Sequence, residues 1–187
     1  MAVPGLTRVR TVLFVFTLVF GAAACAALSF ENRATRPSDG NVVAMFLAAN
    51  NTDISYAQVA LSTGHASASP VVAFATRMLN DHAGLNQSAT EVVAQTKISV
   101  ADNVASLDLR DESAAKRDTL RELHGAQFDS AYMANEVRYH TKLLHLLDTV
   151  LIPAVRNPDF RLLLTNVRPA VAAHLEHAQR VQAGLGK

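Results

Sequence analysis

A chain of 187 residues with a formal net charge of +1 carries no basic excess, so no nucleic-acid partner is expected. A single cysteine excludes an intramolecular disulfide framework and any cysteine-rich zinc or iron–sulfur site. Half the residues are hydrophobic but only 6% are aromatic, and alanine is abundant, a balance that leans toward helices over a barrel or sandwich.

The chain opens on a targeting pattern. Arg8 and Arg10 give a positive start, and no charge follows from Thr11 to Phe30, a run that contains Val12, Leu13, Phe14, Val15, Phe16, Leu18, Val19 and Phe20. The apolar stretch gives way to Gly21, Ala22, Ala23, Ala24, Cys25 and Ala26, small residues of the kind a signal peptidase accepts. Residues 1–28 are therefore expected to be a signal peptide or membrane anchor, and the protein to be exported to the cell envelope, the periplasm or beyond. Cys25 follows three alanines as in a lipoprotein box, with Ala22 where leucine is usual. Three outcomes stay open: lipid attachment at Cys25, cleavage at an Ala-x-Ala site that leaves a secreted soluble domain, or an uncleaved anchor, since about 20 residues span a bilayer. The membrane is a partner in two of them; other envelope partners are not specified.

Residues 29–40 include the polar stretch Glu31 to Gly40 and read as a linker; the folded domain is expected over 41–187. Apolar residues there recur at steps of three and four, the helical period. The first stripe sets Phe46, Asn50, Asp53, Ala57 and Ala60 on one face and ends at Gly64. Ser69 and Pro70 then mark a helix start, and Val71, Ala75, Met78, His82, Leu85, Ala89 and Val92 form the second stripe. From Ile98 to Arg110 the period lapses, and Asp102, Asn103, Asp108 and Asp111 predict a loop followed by a short helix through Ala115, Leu120 and Leu123.

The third stripe is Met133, Val137, His140, Leu144, Leu147 and Leu151, with a kink expected at Pro153. The fourth is Phe160, Leu164, Val167, Val171, His174, Ala178, Val181 and Leu185, with a kink expected at Pro169. The fold class is all-α. Four such stripes are best buried in an up-down-up-down four-helix bundle, with the short extra helix in the connection between helices 2 and 3.

A carboxylate or an imidazole interrupts each stripe once: Asp53, His82, His140 and His174. Asp53 and His82 lie nearly equally far from the turn at Ala66–Ser67, and His140 and His174 equally far from Asn157, so each pair shares a level within its hairpin. One common layer of three imidazoles and a carboxylate has two readings. It is a site for a divalent transition metal (zinc, iron, manganese or copper), or a polar layer that hydrogen-bonds within itself and sets register. Asp81, Glu136 and His177 are secondary candidates beside it, while His65, His124 and His145 read as surface residues. No phosphate loop, serine elbow or paired Glu-x-x-His element is present, and no catalytic residue is assigned.

The runs Phe74 to His82, Gly125 to Tyr132 continuing to His140, and Pro169 to His174 resemble an uncharacterised bacterial family labelled predicted outer-membrane proteins, a domain of unknown function assigned a ferritin-like helical bundle. The resemblance spans about Asn41 to Ala183 and implies export, a ferritin-like bundle and a role for the motif residues, but no reaction. Where that family has glutamate in its first helix, this chain has Asp53, one methylene shorter. Within the second run, Gly125 is expected to allow a tight helix entry, Phe128 to pack inward, and Asp129 with Tyr132 to hold the neighbouring connection. The expected role is a non-catalytic binding or structural module of the envelope; the alternative is a metal-binding bundle for storage, sensing or redox protection.

Overall fold

The computed structural model describes residues 36–62 and 64–185, and every regular element among them is helical. Residues 1–28, expected to be a signal peptide or anchor, lie outside the described residues, Cys25 among them. No helix among the described residues is long and apolar enough to cross a membrane. Helix α1 spans Asp39–Leu61 and α2 spans Ser69–Thr96. Helix α3 is Val104–Arg121, α4 is Gly125–Leu146 and α5 is Pro158–Gly184. Helices α1 and α2 pair along their length, as do α4 and α5, while α2 lies against α5 and α1 approaches α4.

Helix α1 begins at Asp39 because Ser38 and Asn41 close a reciprocal cap: the Asn41 amide donates to Ser38 Oγ, and the Ser38 amide to Asn41 Oδ1, each at 3.1 Å. The helix is buried nearly all round, Val42, Val43, Ala44 and Met45 included, and not on one face alone. The reason is α3, which covers the side of α1 turned away from α2.

The short helix expected through Ala115, Leu120 and Leu123 is this eighteen-residue helix, which also takes in most of the loop expected from Ile98 to Arg110 and leaves only residues 98–103 outside it. Its start is fixed by Asn103, whose Oδ1 accepts from the Ser106 amide at 2.9 Å while its own amide donates to Ser106 Oγ at 3.0 Å. The inward positions are Ser106, Leu109, Ser113 and Leu120, a helical period written partly in serine, whereas Ala115, Asp108 and Asp111 are exposed. The extended residues before it cross the start of α1, where the Ala101 amide donates to Gly40 O and Asn41 Nδ2 to Ala101 O. A Cβ at residue 40 would lie 2.0 Å from Ser99 O, so only glycine admits that crossing.

Helix α4 enters through Gly125 at φ +58°, the left-handed entry expected of it. Its end widens into a π-helical turn, Leu147–Leu151, ahead of Ile152–Ala154, since the Pro153 ring crowds the carbonyl one turn back. Helix α5 runs through Pro169 without interruption. Two carboxylates lock the hairpins to each other. Asp129, near the start of α4, accepts from the Ser67 and Ala68 amides and from Ser67 Oγ in the α1–α2 connection. Asp39, in the first turn of α1, accepts from the Arg156 and Asn157 amides in the α4–α5 connection. Tyr132 does not share the task of Asp129; it is fully buried, stacked on Phe128 and edge-on to Phe74.

The core falls into two apolar halves. One gathers Val43, Phe46, Leu147, Phe160 and Leu164, the other Ala57, Phe74, Met78, Phe128 and Ala178. Every long helix of the two pairs passes from one half to the other, and in each the crossing is marked by buried polar residues: Asn50 and Asp53, His82, Glu136 and His140, His174.

Charge placed in either half should unfold the protein. Met78→Asp and Val167→Asp are each expected to cost several kcal/mol, because an unpaired carboxylate is buried, whereas Leu144→Asp, at a half-buried position, should cost clearly less. Thermal unfolding followed by circular dichroism checks the order; equal losses at Leu144 and Met78 would contradict the burial pattern.

Candidate functional site

The level shared by the four polar positions is real in space. His82 Nε2 lies 2.7 Å from Asp53 Oδ2, and His140 Nε2 lies 3.8 Å from the same oxygen. The His82 and His174 rings are 5.4 Å apart, and His140 and His174 5.5 Å. His82, His140 and His174 present ligand atoms within 4.8 Å of one another, and so do Asp53, Glu136 and His140. The two groups overlap at His140. All five side chains are shut off from solvent. Although Asp53 is the shorter acid, its carboxylate reaches the imidazoles, because α1 is drawn deep into the bundle by α3 on its outer side.

Each imidazole has one nitrogen turned outward onto an acceptor. His82 Nδ1 meets Asn50 Oδ1 at 2.8 Å, His140 Nδ1 meets the Glu136 carbonyl at 3.0 Å, and His174 Nε2 meets Asp81 Oδ2 at 2.8 Å. A carbonyl or carboxylate accepts only from N–H, so the outer nitrogen carries the proton. In a neutral ring the inner nitrogen then offers a lone pair. Those inner atoms, His82 Nε2, His140 Nε2 and His174 Nδ1, are buried without a hydrogen-bond partner, as are both oxygens of Asp53 and of Glu136. The close approach of His82 to Asp53 is off the hydrogen-bond direction.

Burial disfavours charge on every group here, but the charges also act on each other. Burial alone would raise the Asp53 carboxyl; the His82 and His140 imidazoles overcome it and hold Asp53 well below the usual carboxylate range. Burial and then the Asp53 charge push the Glu136 carboxyl far upward, opposite in direction to Asp53. Burial lowers His140, against the pull of Asp53. His174 falls to about 4 through burial, only partly offset by its bond to Asp81.

Of the secondary candidates, Glu136 stands at the centre, while Asp81 lies outside it, half-exposed, and holds the outer nitrogen of His174. His177 does not: its ring lies edge-on to Phe74 at 5.1 Å, and it lines a separate surface depression with Pro70 and Arg180. The reason is spacing, since three residues beyond His174 the helix has moved one turn toward the second apolar half. His124 and His145 are exposed, as expected, but His65 is half-buried, its Nδ1 bonded to Leu123 O and its ring stacked on His124 at 4.6 Å. Two contributors escaped the sequence reading. Asn50 sits one turn before Asp53 and orients His82, a signal present in the spacing; Tyr139 packs edge-on against His140 and donates to Ala49 O at 2.6 Å, and nothing in the pattern marks it.

The family model for Domain of unknown function (DUF4142) matches residues 24–181, and the chain belongs to that family. No curated protein and no solved structure matches it.

The charge states fix how the metal-free protein responds to acid. His140 and His174 have folded pKa values below the unfolded value of about 6.5, so the unfolded chain binds more protons and stability falls as pH drops below that value. For His174, a displacement from 6.5 to about 4 is worth about 3 kcal/mol at most. Glu136 has the opposite sign: its folded pKa is raised, so its burial costs stability at neutral pH and costs less as pH falls toward about 4.3. Denaturant unfolding with chelator present should show a net loss between pH 6.5 and 4.5, steeper in Glu136→Gln, and that variant should be more stable than wild type at pH 7. A flat profile in both proteins would contradict these assignments.

Proposed function

We propose that the chain is an exported cell-envelope protein, an up-down-up-down bundle of ferritin-like type with α3 as its added helix, whose core binds a divalent transition metal. The ligands are His82 Nε2, His140 Nε2, His174 Nδ1 and a carboxylate oxygen of Asp53, with Glu136 beside them. The observation that carries this reading is the orientation of the three histidines: each outer nitrogen is held by its own acceptor and each inner nitrogen is turned, unpartnered, toward the same carboxylate-bearing centre. Lone pairs and a carboxylate facing one another repel unless a cation lies between them. Metal–nitrogen and metal–oxygen bonds of about 2.0–2.2 Å set neighbouring ligand atoms roughly 3 Å apart. The separations of 2.7 and 3.8 Å at Asp53 Oδ2 bracket that value.

Zinc, iron, manganese and copper all accept this donor set. The centre is enclosed, and enclosed sites hold a metal for structure, storage or sensing, whereas catalytic metal sites keep a position open for substrate. The competing reading, a polar layer that only sets register, draws on the same outer hydrogen bonds and on the His82–Asp53 contact.

Elemental analysis of protein purified without an affinity tag should find one metal per chain. Added zinc or iron should raise the melting temperature of wild type and leave His140→Ala unmoved, because a ligand bound to the native state alone stabilises it. The same response in both proteins, or none in either, would leave the polar layer as the reading that stands.

Export is supported by Arg8, Arg10 and the uncharged run to Phe30. Cell fractionation should recover the protein in the envelope or outside the cell, and Cys25→Ser should free it from membranes or block its processing if that residue carries lipid. A cytoplasmic pool would overturn export; a membrane fraction unchanged by the substitution would overturn lipidation.

A further inference from the structure

A cavity of about 640 Å³ lies where α3 and α4 splay apart on the flank of α1. Helix α3 packs on α1, while α4 touches both of them only sparsely, so a cleft remains between α3 and α4. Its walls are apolar: Leu109 from α3, Leu143 and Leu146 from α4, Val150 from the π-helical turn, and the rings of Tyr56 and Tyr139. Its size falls within the range of about 300–1,000 Å³ found for small-molecule sites, which pair apolar walls with a few placed polar groups.

The polar groups here carry one sign in excess. Lys116, Arg138 and Lys142 line the cavity against a single acid, Glu112, with His145 beside them. Arg138 donates to Asn135 Oδ1 at 3.2 Å and has no carboxylate among its bonded partners. Lys142 meets Glu112 at 3.4 Å, with both side chains about 70% exposed, a pair too solvated to neutralise either group firmly.

We propose that this cleft binds a single-chain anionic amphiphile, a long-chain carboxylate, with its hydrocarbon against Leu109, Leu143, Leu146 and Val150 and its headgroup at Lys116 and Lys142. Burying the chain removes its methylenes from water and so supplies the affinity. The cationic rim selects the anionic head. The site is separate from the core histidines, so it stands or falls without the metal.

The test is calorimetric titration of the full chain, below the micellar range, with three probes that share one tail: dodecanoate, dodecanol and dodecyltrimethylammonium. Dodecanoate should saturate at one per chain, dodecanol should bind at least tenfold more weakly, and the cation should show no saturable binding. Lys116→Glu combined with Lys142→Glu, both half-buried or exposed positions, should weaken dodecanoate at least tenfold while the circular dichroism spectrum stays that of wild type. Absence of saturable dodecanoate binding, equal binding of dodecanol, or an affinity unchanged in the double variant would each overturn the proposal.

Discussion

The structure turns on burying a belt of polar side chains halfway along a helical bundle. Asn50, Asp53, His82, Glu136, His140 and His174 cross the core at one level and separate its two apolar halves. Burying so many polar groups is costly unless each finds a partner, and the protein satisfies only their outer atoms. The belt also restricts how the helices slide. A shift of one helix by a single turn would lift its polar residue into an apolar half and bring an aliphatic one opposite the imidazoles. Register is thus held by the penalty on every alternative, whatever the centre binds.

A second constraint acts at the ends. Each hairpin supplies, from near the start of one of its helices, the carboxylate that ties down the connection of the other: Asp129 of α4 holds the α1–α2 connection, and Asp39 of α1 holds the α4–α5 connection. The exchange fixes the relative height of the two hairpins. The α2–α4 linkage cannot do so, because α3 and its flanking residues intervene. With height fixed at both ends, His82, His140 and His174 close to within 4.8 Å of one another, and so do Asp53, Glu136 and His140.

How much of this was legible depends on how each piece is written in the residues. The four long helices follow from a period of apolar side chains, and levels within a hairpin follow from counting out of a turn. The full length of helix α3 was hidden because Ser106 and Ser113 occupy its inward positions, so its first half carries little hydrophobic contrast, and its cap is Asn-x-x-Ser where Ser-x-x-Glu is the familiar form. The nearly all-round burial of α1 was hidden for the same reason, since it is α3 that covers it. His177 looked like a neighbour of the centre because sequence proximity to His174 ignores the rise of the helix between them. The state of Glu136 was out of reach altogether: one turn from His140 it looks like a solvated flank, and only the fold reveals that it is enclosed beside Asp53.

The added helix links the closed centre to the open cleft. By covering α1 it drives Asp53 inward to meet the imidazoles, and by standing away from α4 it leaves an apolar wall uncovered. Tyr139 is the partition between the two. Its ring lines the cleft and packs edge-on at 5.8 Å against His140, while its hydroxyl is tied to Ala49 O, so it cannot swing aside without losing a buried hydrogen bond. The ring therefore stands between the cleft and His140, and the cleft does not open onto the buried imidazoles. The same helix that closes the belt on one side leaves the apolar wall of α4 open on the other.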